Sequence, residues 1–190
     1  MNYGLLNCPR NQEKHLFYNN KIDFNNLLKY EHEPNVQFLL GNIKFFGFAN
    51  QVKDLINAFE YLKASGESGH TVGEHALGVM YHNGFGTEKN FKNAFTFYSS
   101  AASKGYSPSI FNLGQLYMYG LGVDKDELLG FEYYLSSAKK KNIVALHHVG
   151  CIYHEGILTE EDDNRAIYYL HNKVRMKNEV CSDLNNILNN

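Results

Sequence analysis

The chain has 190 residues, 44% of them hydrophobic, 14% aromatic and 20% charged, with a formal net charge of −2. That is ample apolar material for a buried core but too little clustered basic charge for gripping a polyanion, so the composition argues against a nucleic-acid partner. No run of about 18 apolar residues could span a bilayer, and Met1-Asn2-Tyr3-Gly4-Leu5-Leu6 lacks the basic region and long apolar stretch of a secretory signal, so neither membrane insertion nor export by that route is expected.

One sentence is written three times. Leu77-Gly78-Val79-Met80-Tyr81 recurs as Leu113-Gly114-Gln115-Leu116-Tyr117 and as Val149-Gly150-Cys151-Ile152-Tyr153, each 36 residues on. Gly84, Gly120 and Gly156 follow in register, as do the small residues Ala94, Gly130 and Ala166. A fixed period of about 20–50 residues signals stacked supersecondary units.

In chain order, Asp23 to Tyr30 echoes Asn90 to Phe97, which predicts a degenerate hairpin over 12–32 inside an N-terminal cap, 1–34. A degenerate copy follows over 35–70. There Leu40-Gly41 and Gly47 match Leu77-Gly78 and Gly84 at a shift of 37, while Ala58-Phe59-Glu60-Tyr61 matches Ala94 to Phe97 at 36, read as the loss of one linker residue. In the copy over 71–106, Thr71 with Glu74 forms a capping-box pattern. Gly69 and Gly105 stand where the preceding helices should close in a left-handed turn.

The copy over 107–142 is the clearest. Ser107-Pro108 is a helix start, because the hydroxyl can cap free N–H groups and the proline lacks only a donor that would be orphaned anyway. Ile110, Phe111, Leu113, Gly114, Leu116 and Tyr117 then form an apolar stripe at helical spacing as far as about Met118. Gly120-Leu121-Gly122 ends this first helix, called A, and Asp124 or Asp126 caps a second, B, running to Lys140.

In the last copy, 143–178, Thr159 with Asp162 is a weaker capping box. The acidic run Glu160 to Asp163 suits the first turn of a helix, where negative charge is favourable. Lys139 to Lys141, and Lys173, Arg175 and Lys177, are expected at helix C-terminal ends for the opposite reason. The asparagine-rich segment 179–190 reads as a tail, a short helix or a frayed end. A glycine inside helix A costs about 1 kcal/mol relative to alanine. Its presence at 78, 114 and 150 therefore implies a close backbone approach, with the small residues at 94, 130 and 166 opposite.

Leu-Gly-x-x-Tyr-x-x-Gly-x-Gly, followed by Asn90-x-x-x-Ala94-x-x-Phe97-Tyr98-x-x-Ala101-Ala102-x-x-Gly105, resembles the Sel1-like repeat family, relatives of the tetratricopeptide repeats. The resemblance implies an all-α fold, a right-handed α/α superhelix or solenoid of stacked helical hairpins. In that family the structural positions would be Gly78, Tyr81, Gly84, Gly114, Tyr117, Gly120, Gly150, Tyr153 and Gly156. The last copy departs from the pattern, with Leu158 at the second linker glycine and Lys173-Val174 for Ala101-Ala102, so it should cap the array.

The resemblance further implies a concave helix-A face, with Ala76, Val79 and His82 in one row, Asn112, Gln115 and Met118 in the next, and His148, Cys151 and His154 in the third. Such rows suit a protein or peptide partner. The expected function is a non-catalytic adaptor or scaffold without cofactor. Two alternatives attach to relatives: β-lactamase or penicillin-binding activity, claimed for cysteine-rich members whose paired cysteines this chain lacks, and a regulatory subunit that activates a separate enzyme. A cytoplasmic location is expected, with delivery into a host cell as a further alternative from relatives.

Other chemistry is weakly supported. Cys8, Cys151 and Cys181 are odd in number and unevenly spaced, unlike a disulfide framework. His148, Cys151 and His154 form a zinc-type ligand set, but residues i and i+6 lie about 120° apart on a helix, so no metal site is expected. His147 occupies the slot of His75 and Phe111 and should be a half-buried packing residue. Gly84-Phe85-Gly86 and Gly120-Leu121-Gly122 lack the third glycine and the preceding strand of a dinucleotide loop. No catalytic residue is assigned.

Overall fold

The computed structural model describes residues 23–188, with side chains described from 23 to 178. The regular elements among the described residues are all helices, with no strand. A single turn α1 (Phe24–Leu27) runs into the 3-10 segment Leu28–Tyr30, followed by α2 (Pro34–Phe46), α3 (Leu55–Glu67), α4 (Thr71–Asn83), α5 (Phe91–Ser103), α6 (Ser107–Tyr119), α7 (Glu127–Lys139), α8 (Ile143–Glu155) and α9 (Asp163–Leu188). Contacts divide the chain into two compact units, Met1–Tyr106 and Ser107–Asn190. Each holds two antiparallel hairpins, α2/α3 with α4/α5 and α6/α7 with α8/α9, and within each unit the B helix of the first packs on the A helix of the second.

The hairpins are shaped by two repeating devices. Helix A ends on a glycine in the left-handed region, with φ of 74°, 72°, 64° and 62° at Gly47, Gly84, Gly120 and Gly156. A short polar side chain then opens helix B: Asp54, Asn90, Asp126 and Asp162 accept the backbone N–H of Asn57, Asn93, Leu129 and Arg165 at 2.9–3.0 Å. The N–H of the same cap residues donates back to the carbonyl of Lys44, Tyr81, Tyr117 and Tyr153, closing each linker. Between hairpins, Gly69 and Gly105 take φ of 84° and 83°, as the sequence predicts, and Lys141 takes the same turn at 63°.

The helix-A glycines do mark close approaches, although the nearest neighbour is not the small residue expected. A Cβ at Gly78 would stand 2.6 Å from the Tyr98 ring, and one at Gly114 would stand 2.7 Å from the Tyr134 ring and 2.8 Å from the Gly130 carbonyl oxygen. At Gly150 it would meet Leu170 at 2.7 Å. The small residue at 94, 130 or 166 lets the backbones converge, and a large side chain one turn later fills the hollow over the glycine.

Five local expectations need correction. The N-cap of α4 is His70 rather than Thr71, and Glu74 turns away from the helix end: it is buried, accepts 2.7 Å bonds from Lys104 Nζ and Ser100 Oγ, and leaves Oε2 without a partner among the described residues. Thr159 bonds Glu160, and Asp162 alone caps α9. The linker over 47–54 holds one residue more than the others, not one fewer; consecutive left-handed residues, Ala49 at φ 52° and Asn50 at φ 58°, absorb it. Lys173, Arg175 and Lys177 lie mid-helix, because α9 runs 26 residues without the break expected near 178. The second helix of the N-terminal hairpin is reduced to α1 and its 3-10 extension, since Pro34 starts α2. The rest of that hairpin and Cys8 fall outside the described residues, as does the Cys181 side chain.

Candidate functional site

The helix-A rows do not present a uniform surface. In the unit of α2–α5, Ala76 and Val79 are buried in the core, contrary to their expected place on an open row. His82 leans on helix B of its own hairpin, its ring 5.2 Å from Phe91 and 6.2 Å from Tyr98. Burial, and secondarily the charge of Lys89, holds its pKa below the usual imidazole value, and its Nδ1 is buried without a hydrogen-bond partner among the described residues. His82 is therefore a neutral packing group on this unit.

In the unit of α6–α9 the equivalent positions turn polar and open. Asn112 and Gln115 are half-buried on α6, and among the described residues neither amide is spent in a hydrogen bond. His148, on α8, packs its ring 5.3 Å from Phe111 of α6 and 5.5 Å from Tyr134 of α7. Burial first, then the positive potential of His147 and Lys173, lowers its pKa, so it stands neutral near pH 7 and offers one donor and one acceptor. Met118 packs instead against the hairpin core.

The third row separates. Cys151 Sγ lies 3.6 Å from His147 Nδ1, and His154 Nδ1 pairs at 2.9 Å with Asp163 Oδ1, which raises its pKa. With His148 turned to Phe111, the three candidate ligands point to three different neighbours. The described residues hold no group of three His, Cys, Asp or Glu side chains able to share a metal ion.

His147 is exposed, whereas His75 and Phe111 in the same slot are buried. Within the first unit, Tyr98 and Tyr106 enclose His75. The equivalent slots for His147 hold Leu170 and Asn178, which supply no such rings. Burial drives the His75 pKa down to about 4.

One feature lay unread in the sequence. Each helix-A tyrosine stacks nearly flat on the aromatic at the helix-B slot of its own hairpin: Tyr81 on Phe97, Tyr117 on Tyr133 and Tyr153 on Tyr169, with centroids 5.6–5.9 Å apart. The common spacing of 16 residues was the available signal. These pairs make the tyrosines packing elements.

Repeated α/α hairpins with glycine-seated helix A and aromatic stacks define a helical-repeat protein. The Sel1 repeat profile matches residues 34–70, 71–106, 107–142 and 143–171, and the chain belongs to the Sel1 repeat family. Among solved structures, it is similar to c5321, a protective antigen of uropathogenic Escherichia coli with the same fold, at 26% identity and a TM-score of 0.74 over 82% of this chain and 34% of that one. A Sel1 repeat protein from Oxalobacter formigenes also matches, at 26% identity and TM-score 0.70 over 77% of this chain and 60% of that one. The Pseudomonas aeruginosa immunity protein Pa5087, at 23% identity and TM-score 0.53 over 75% of this chain and 52% of that one, shares the fold. The chain thus spans between about a third and 60% of the length of these proteins. No protein sequence of curated function matches it significantly. Among the described residues no helix is long and apolar enough to cross a membrane.

Proposed function

We propose that the chain is a non-catalytic adaptor that binds another protein through the helix-A side of residues 107–155. The observation that carries this reading is the pair of uncommitted amides at Asn112 and Gln115 on α6, with the neutral imidazole of His148 on α8 packed against Phe111 of the same helix as the amides. A half-buried amide with unmet bonding capacity is suited to the main chain of an extended or helical peptide, where each satisfied bond contributes about 0.5–1.5 kcal/mol and a mismatch costs more. Cys151 and His154 follow His148 along α8, and Met118 packs into the hairpin core beneath α6 rather than offering a contact. The domain limits we assign to the hairpins are 35–70, 71–106, 107–142 and 143–178.

The test is affinity. A partner captured from native lysate and then purified should bind the Gln115→Arg/His148→Glu chain at least about tenfold more weakly than wild type, the loss of two anchors of this size. Unchanged affinity with intact helicity contradicts the reading. Turnover of a β-lactam reporter such as nitrocefin would contradict its non-catalytic part.

A further inference from the structure

The outer face of the last hairpin repeats a surface that is covered earlier in the chain. Phe59 and Phe131, on helix B of the first hairpin in each unit, are 8% and 6% exposed because the tyrosine of the next helix A closes edge-on over them, Tyr81 on Phe59 and Tyr153 on Phe131. The same slot on α9 is Ile167, at 65% exposure. One helical turn pair further, Ala138 is 3% exposed under α8, whereas its counterpart Val174 is 56% exposed. On α8, Val144 and His147 complete the open strip.

Residues 177–190 lack two marks that open a further hairpin in the earlier copies. The slot that turns the chain back, filled by Gly69, Gly105 and Lys141 with positive φ, is Lys177, which lies inside α9. The next tyrosine slot is Asn189. A standard further hairpin also fits poorly, because Val174 stands where Gly66 and Ala138 let the neighbouring helix come close.

The charges on the strip point to its occupant. Exposed Lys141 and Lys177 lie at one end, by the start of α8, and exposed Glu155 and Asp163 lie at the other. On α9, position 170 lies midway between Asp163 and Lys177, and the midpoint of Ile167 and Val174 falls beside it. On α8, position 148 is midway between Lys141 and Glu155. These two centres lie side by side, since Gly150 abuts Leu170 and Ala166, and His154 bonds Asp163. One two-fold axis in the plane of the strip, perpendicular to both helices, therefore brings Ile167 onto Val174, Asp163 onto Lys177 and Glu155 onto Lys141 of a second molecule. An axis along the helices would instead oppose like charges.

We propose that this face is a self-complementary docking surface for a second copy of the chain, giving a closed dimer in which α8 lies antiparallel on α8 and α9 on α9. Isologous two-fold contacts of this kind close on themselves and stop at two. Both readings use α8 but the amide row of α6 belongs only to the first, and the variants that test the two differ, so either reading can fail alone.

Sedimentation equilibrium on the full chain decides it. A monomer–dimer equilibrium with Kd of about 1–100 µM is expected from so small an apolar strip, weakening as salt rises from about 50 to 500 mM. Ile167→Asp/Val174→Asp should weaken it at least about tenfold, as should Glu155→Lys, which sets lysine against Lys141. Glu155→Lys/Lys141→Glu should restore association to within about threefold of wild type, a rescue that a merely structural role would not give. Circular dichroism establishes that each variant is folded. A chain that stays monomeric to about 200 µM, an open-ended assembly, or a dimer indifferent to these substitutions overturns the proposal.

Discussion

His75 shows how one side chain sets a pH dependence. It is 2% exposed, in a slot that the next copy fills with Phe111. Its folded pKa of about 4 lies below the unfolded value of 6.5, so between these limits the unfolded chain takes up a proton that the folded chain refuses. The stabilisation is complete above pH 6.5 and is lost as pH falls toward 4, on the order of 3 kcal/mol in all. His75→Phe should remove that share, and denaturant titrations at pH 7 and 4.5 should show a smaller loss in the variant. Burial lowers His82 and His148 in the same direction, so some acid sensitivity remains. The glycines give a second residue-scale test. Alanine at 114 gains about 1 kcal/mol of helix propensity, but its Cβ would stand 2.8 Å from the Gly130 carbonyl oxygen, a backbone atom that cannot rotate away. Net destabilisation of about 1–3 kcal/mol is expected. Gly78→Ala, whose three nearest opposing atoms all belong to the Tyr98 ring, should cost less; equal or inverted losses in denaturation would contradict this geometry.

At the scale of elements, the Asx cap at 54, 90, 126 and 162 is the recurring start signal of helix B. Asp126→Ala should cost about 1 kcal/mol, while Asp124→Ala, one of the two candidates in the sequence, should be near neutral. Lys141 takes a left-handed turn that glycine fills elsewhere, where a non-glycine residue costs about 1–2 kcal/mol. Lys141→Gly should accordingly stabilise by several tenths to about 1 kcal/mol, after the entropy that glycine loses; a lower melting temperature would count against it. Much of this scale was legible in the sequence, because glycine and Asx residues act through their own backbone and recur at the period. What escaped depended on neighbours. Thr71 and Glu74 have a capping-box spacing, yet Glu74 finds Lys104, 30 residues on, and leaves the helix end to His70. Ala76 and Val79 share repeat slots with Asn112 and Gln115, and grouping the four by slot passed over their apolar character, which packing within their unit follows. Similarly, Lys177 does not announce whether α9 turns or continues.

At the scale of the molecule, Sel1 repeats fix how hairpins stack and leave the exposed slots of helix A to vary. This is why fold and family were readable from Gly78, Gly114 and Gly150, whereas the binding face we propose rests on a few side chains of α6 and α8. The most direct measurement is a site-specific photo-crosslinking footprint in native lysate, with the probe placed in turn at Asn112 and Gln115 on helix A and at Glu132, exposed on helix B. A common crosslinked protein at 112 and 115, absent at 132, is the predicted result. Crosslinks at 132 with none at 112 or 115 would contradict the assignment of the helix-A side as the binding surface.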